Sequence, residues 1–167
     1  AIQAGQTGHY VLSTIHTIDS IEVINRLRKI GISDYDIAST LATVISQRLV
    51  RRLCPKCKRE REYTKEEKEI INGILEKYGE NVDLKDMKTY DSFGCDYCNG
   101  TGFYDRIFEF LNMTDELKDL IVSGAPSMDI RRKAIEQGYK PLIVDGIKKV
   151  LRGETTIDEL NKKLLFF

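Results

Sequence analysis

The sequence has no excess of charge of either sign: 26 Lys and Arg stand against 26 Asp and Glu in 167 residues. That balance gives no global attraction to nucleic acid or to an acidic lipid surface. No apolar run approaches the roughly 18 residues of a membrane-crossing helix. No stretch at the start has the basic, apolar and small-residue order of a signal peptide. Internal repeats and low-complexity segments are absent. The first residue is not Met, and AIQAGQTG has no start signal of its own, so the chain reads as cut from a longer protein. Histidine is scarce, with two residues, and cysteine numbers four. What is present is a 41% hydrophobic fraction spread along the chain, enough for one domain or two small ones.

Tyr10 to Ile15, after Gly8, has the apolar and β-branched content of a buried strand in a parallel sheet. Asp19-Ser20-Ile21-Glu22 reads as a helix start, and that helix buries Ile21, Ile24, Leu27 and the stem of Arg28 before Gly31. A second helix starts at Ser33 or Asp34, with Ile37, Ala38, Leu41, Val44 and Ile45 on its apolar face. Gln47 to Leu53 alternates as a strand or extended run. Thr64 to Glu67 is a capping box opening a helix that ends at Gly79, and 102–111 is a strand. Helices capped by Thr114, by Ser127, and with Pro141 in the first turn end at Gly124, Gly138 and Gly153. A box at Thr156 to Glu159 opens the last.

Cys54-Pro55-Lys56-Cys57 and Cys95-Asp96-Tyr97-Cys98 are two C-x-x-C knuckles separated by residues 58–94. Without a secretion signal, paired cysteines bind metal more often than they form disulfides. Two knuckles complete a tetrahedral sulfur shell, for which zinc is the expected ion, and a closed shell is structural. Four thiolates on Zn²⁺ carry −2, which Arg51, Arg52, Lys56, Lys58 and Arg59 offset locally. Two disulfides, or four free core cysteines, are the competing readings.

His9 and His16 differ in parity, so one continuous strand would point them to opposite faces. His16 and Thr17 instead sit where such a strand ends, the place at which α/β sheets bind ligands. Two readings of His16 stand on position alone: an imidazole that senses a phosphate or orients a water, and a histidine satisfied in packing.

Several pieces together resemble one family. GHYVLSTIHT, residues 8–17, resembles the histidine box of the secretion ATPases, the motors of type II secretion and type IV pilus assembly. Gln47 to Cys57 is similar to the segment leading into that family's tetracysteine motif. Cys95 to Phe103 is similar to the motif's second half, and Asp145 to Val150 with Gly153 and Thr155 to its C-terminal helices.

The resemblance implies an α/β fold: a partial RecA-like P-loop ATPase core with an inserted tetracysteine zinc module and a C-terminal helical bundle. It divides the chain into 1–53, the C-terminal part of the core; 54–98, the zinc module; and 99–167, a strand and helical subdomain. It implies a cytoplasmic homo-hexamer, associated with the inner membrane face through a platform protein, with ATP and Mg²⁺ in the full-length parent. His16 would approach the γ-phosphate or the attacking water. Thr17 and Arg48 would serve the nucleotide, Arg48 through the nucleotide itself or a neighbouring subunit, although a solvated or zinc-offsetting arginine also fits Arg48. Cys54, Cys57, Cys95 and Cys98 would hold structural zinc. No G-x-x-x-x-G-K-[ST] run occurs here, and such folds position phosphate with that loop. The chain alone is therefore expected not to hydrolyse ATP. Ile18 stands where the family has Asn, Asp105 to Glu109 is about two residues short, and the insert between knuckles is long.

Two other functions compete. A zinc-ribbon module binding nucleic acid fits the basic cluster from Arg48 to Arg61, but the neutral total and the lack of aromatics interleaved with those basic residues oppose it. A chaperone-like zinc module repeats Cys-x-x-Cys-x-Gly-x-Gly, which occurs once here.

Overall fold

The computed structural model describes residues 1–99 and 103–164, and for residues 103–106 the backbone only. Gly100, Thr101 and Gly102, part of the second-knuckle resemblance, lie outside the described residues. The chain is α/β. Its helices are α1 (Ile2–Gln6), α2 (Glu22–Lys29), α3 (Asp34–Thr40), α4 (Lys65–Lys77), α5 (Asp115–Val122), α6 (Ser127–Glu136), α7 (Leu142–Leu151) and α8 (Ile157–Leu164). Its strands are β1 (Thr43–Arg52), β2 (Lys58–Glu62), β3 (Lys88–Ser92) and β4 (Phe103–Asn112). Strand β1 pairs with β4, and β2 with β3. The chain forms two compact units, Ala1–Ser46 with Glu109–Tyr139, and Gln47–Phe108 with Lys140–Phe167.

In the first unit, Ile21, Ile24, Ile37, Leu117, Ile121 and Ile130 are buried together. Ser33 caps α3 by accepting from the Asp36 amide at 3.1 Å, and Thr114 caps α5 through the Leu117 amide at 3.3 Å. Arg28 is partly buried in this unit. Its guanidinium pairs with Asp34 at 2.6 Å and donates to the carbonyls of Ala125 and Ile121.

Two sequence expectations fail in this unit. Tyr10 to Ile15 is not a strand: residues 9–17 form neither helix nor strand, and Tyr10 and Leu12 are fully exposed. A strand needs a ladder partner for its amides and carbonyls, and among the described residues none is offered to this segment. The second helix stops at Thr40 instead of running through Val44 and Ile45. Those residues start β1, where adjacent side chains alternate: Val44 is buried and Ile45 exposed. The short helix α1 had no counterpart in the sequence reading.

In the second unit α7 is the central element, with Leu142, Ile143, Val144, Ile147 and Val150 all buried. Each such side chain contributes about 1.5–3 kcal/mol by leaving water. Asp145 on the same helix accepts the Phe108 amide at 3.0 Å, fixing α7 to β4. Helix α4 starts with the expected capping box between Thr64 and Glu67. At Thr156 only half of the expected box forms. The Thr156 hydroxyl caps the Glu159 amide at 3.1 Å, but the Glu159 carboxylate turns to the Arg51 amide and side chain, at 3.1 and 2.9 Å. Leu53 donates to the Glu154 carbonyl at 2.8 Å and Thr155 to that of Arg51 at 2.7 Å. The turn between α7 and α8 thereby grips the end of β1 just before Cys54.

Strands β2 and β3 are antiparallel, with Lys58 opposite Ser92, Glu60 opposite Tyr90 and Glu62 opposite Lys88. Gly153 sits in the left-handed region at φ 67°, and a Cβ there would meet the Tyr90 ring at 2.5 Å. Both the backbone angle and the space demand glycine. Gly153→Ala is expected to destabilise the protein by about 1–3 kcal/mol, read as a lower melting temperature. An unchanged melting temperature would refute the close packing of Gly153 on β3.

Candidate metal centre and the histidine segment

Each knuckle is a tight turn closed by its own backbone. The Cys57 and Lys58 amides point at the Cys54 carbonyl, at 3.4 and 3.0 Å, and the Cys98 amide donates to the Cys95 carbonyl at 3.2 Å. The β2–β3 ribbon places the two turns side by side, because β2 starts one residue after Cys57 and β3 ends three residues before Cys95. The sulfur separations are 3.8 Å for Cys54 to Cys95, 3.9 Å for Cys57 to Cys98 and 3.8 Å for Cys95 to Cys98. All four sulfurs lie within 4.8 Å of one another. Bonds of about 2.3 Å to a tetrahedral ion put neighbouring sulfurs about 3.8 Å apart. The four cysteines therefore have the separations of a metal-binding shell, and their donor set is one that soft thiolate-binding ions favour.

Cys54 and Cys98 are buried, and Cys57 and Cys95 half-buried. Burial first, then hydrogen bonds shared with the other three thiols, pushes the Cys57 thiol up from 9.0 to about 11. Cysteine binds metal as the thiolate, so an ion must displace protons to bind.

The surrounding cations are placed differently from the simple offset expected from sequence. Lys56 lies over the Tyr97 ring at 4.2 Å, Lys58 over Tyr90 at 4.5 Å and Arg59 over Phe93 at 4.3 Å. Lys58 also donates to the Gly153 carbonyl at 3.0 Å, and Arg51 pairs with Glu159. No aromatic is interleaved with the basic residues in sequence, but the fold brings rings against them. The rings come from the far strand and the second knuckle, and each already carries one of the chain's own cations. Arg61 fastens the module from below, holding Glu67 through both guanidinium nitrogens at 2.7 Å and Asp91 at 3.0 Å. These bonds hold the Glu67 carboxyl below the usual carboxylate range. These supports were not singled out from sequence, since Lys58 reaches Gly153, Tyr90 reaches Glu60 and Arg61 reaches Asp91 across about 30 to 95 residues, where no local spacing reveals a partner.

The other candidate residues do not join this cluster. His16 and Thr17 belong to the first unit, and Arg48 and the cysteines to the second. His16 is exposed, and the Thr17 hydroxyl donates to the Asp19 carbonyl at 2.9 Å. His9 shares a hydrogen bond of 3.1 Å with the Thr7 hydroxyl. Arg48 is exposed in the middle of β1. Among the described residues no helix is long and apolar enough to cross a membrane.

Residues 1–162 match the family described as Type II/IV secretion system protein. The chain is 37% identical over 164 residues to the type IV pilus assembly ATPase PilB of Thermus thermophilus, covering 96% of this chain and 18% of that protein. It is 38% identical over 162 residues to the type II secretion system ATPase E of Vibrio cholerae, covering 96% of this chain and 30% of that protein. The chain thus spans less than a third of either relative. Among solved structures, the Legionella pneumophila ATPase DotB shares the fold, with a TM-score of 0.59 at 18% identity, over 96% of this chain and 33% of that one.

Cobalt(II) added to metal-free, reduced protein is expected to give the intense sulfur-to-metal absorption of a tetrathiolate. Because protons leave as the ion binds, the apparent affinity should rise with pH across the neutral range, and Cys54→Ser should weaken binding and shift the band. A cobalt affinity indifferent to pH would contradict thiolate ligation.

Proposed function

The chain belongs to the Type II/IV secretion system protein family, and we propose from that premise that it is the C-terminal portion of a cytoplasmic, hexameric ATPase motor for type II secretion or type IV pilus assembly. The match over residues 1–162 carries the reading, and the relatives named as pilus-assembly and secretion ATPases support it. Residues 1–53 contribute the end of the ATPase core, 54–98 a zinc module and 99–167 a strand and helical subdomain. The motor works from the cytoplasm against a platform protein at the inner membrane face. The sulfur separations support one structural zinc held by Cys54, Cys57, Cys95 and Cys98.

In the full-length motor a phosphate-binding loop that this chain lacks holds ATP and Mg²⁺, and three residues of this chain face them. His16 faces the γ-phosphate or the attacking water, Thr17 lies beside the nucleotide, and Arg48 approaches the nucleotide or a neighbouring subunit. The exposure of His16 leaves it able to meet groups that this chain does not supply. Lacking a G-x-x-x-x-G-K-[ST] loop, the chain by itself does not hydrolyse ATP.

His16→Ala in the full-length motor is expected to lower the ATP turnover number by about 10²-fold or more, with little change in nucleotide affinity. Turnover equal to that of the unmodified motor would remove His16 from the chemistry.

A further inference from the structure

The first unit buries a cluster of polar side chains that the metal centre does not use. Ser20 is fully buried and Glu109 on β4 is 2% exposed. The Glu109 carboxylate accepts the Ser20 amide at 2.5 Å, and the Ser20 hydroxyl donates to the Tyr139 oxygen at 3.3 Å. One residue earlier, Asp19 divides its carboxylate: one oxygen accepts the Glu22 amide at 2.9 Å and the other takes Arg131 of α6 at 2.7 Å. The Asp19 carbonyl accepts the Thr17 hydroxyl. Burial, with Glu109 and Asp19 close by, raises the Tyr139 hydroxyl above its ordinary range, which keeps it protonated and able to donate.

The position of this cluster gives it meaning. Residues 9–17 have no helix or strand to hold them, and residues 10–16 are exposed. Toward α2 the segment is held by the bonds at Thr17, Asp19 and Ser20. A neutral acceptor would satisfy the Ser20 amide, whereas a buried carboxylate costs several kcal/mol in desolvation unless it gains strong hydrogen bonds. A charged acceptor on a rigid strand fixes the direction of the donor more firmly than a neutral one.

We propose that Glu109 and Arg131 are positioning residues for the histidine segment, acting through Ser20 and Asp19 to set where Thr17 and His16 stand. The functional meaning of this claim rests on the nucleotide role given to His16 above; its structural content does not. Glu109 and Arg131 lie about 90 and 110 residues from the segment they orient.

Amide hydrogen exchange in ¹⁵N-labelled protein tests it. In Glu109→Gln the Ser20 amide should exchange about three- to tenfold faster, and in Arg131→Gln the Glu22 amide should do so, while amides inside α5 and α7 stay within about twofold. Arg131 is partly exposed, so the second variant keeps the test open if the first fails to fold. Exchange at Ser20 and Glu22 unchanged, or raised equally throughout the unit, would overturn the proposal. In the full-length motor the same variants should lower kcat for ATP while leaving KM nearly constant. Faster local exchange with an unaltered kcat would keep the positioning role and remove the nucleotide role of His16.

Discussion

Four sulfur atoms drawn from positions 41 residues apart set the arrangement of the second unit. Joining the ends of a loop of this size costs about 4 kcal/mol of chain entropy. A structural zinc–thiolate centre can supply about 10–16 kcal/mol toward folding. An ion bound there, rather than the two short strands between the knuckles, would be the term large enough to hold the loop closed. The strands alone are weak staples, because β2 and β3 are five residues each and two-stranded ribbons are marginal in water.

The rest of the second unit braces that closure. Glu154, Thr155 and Glu159 grip the end of β1 ahead of the first knuckle, Gly153 packs on Tyr90, and Arg61 ties β2 to α4 and β3. Exposed ion pairs on the ribbon add little individually. The half-buried, doubly bonded Arg61–Glu67 pair is the one with favourable geometry. The first unit follows a different plan. Its apolar core packs helices, and its buried polar cluster holds the α2 end of a segment that has no helix or strand of its own.

The clustering of the four cysteines was legible in the sequence because C-x-x-C spacing is itself the geometry of a knuckle. The box at Thr64 and Glu67 was legible for the same reason: both partners lie within one helical turn. Family membership could be read from motifs at 8–17, 47–57 and 95–103. Elements whose stability comes from distant partners were not legible. The KRERE of β2 has no apolar face, and its strand exists through cross-strand pairs such as Glu62 with Lys88. Tyr10 to Ile15 has strand composition, but composition does not supply a ladder. Val44 and Ile45 fit a helical period and a strand period equally, and the pairing of β1 with β4 chose the strand. Glu159 has the right spacing for a capping box, yet Arg51, 108 residues away, captures its carboxylate. Glu109 gave no local sign that its partner would be the Ser20 amide.

The central claim is that a single ion closes the two knuckles. Elemental analysis of protein purified under reducing conditions, without chelator or added metal, addresses it directly. One zinc per chain is the result expected. A zinc content near zero in protein that remains folded, with the β2–β3 ribbon intact, would contradict it.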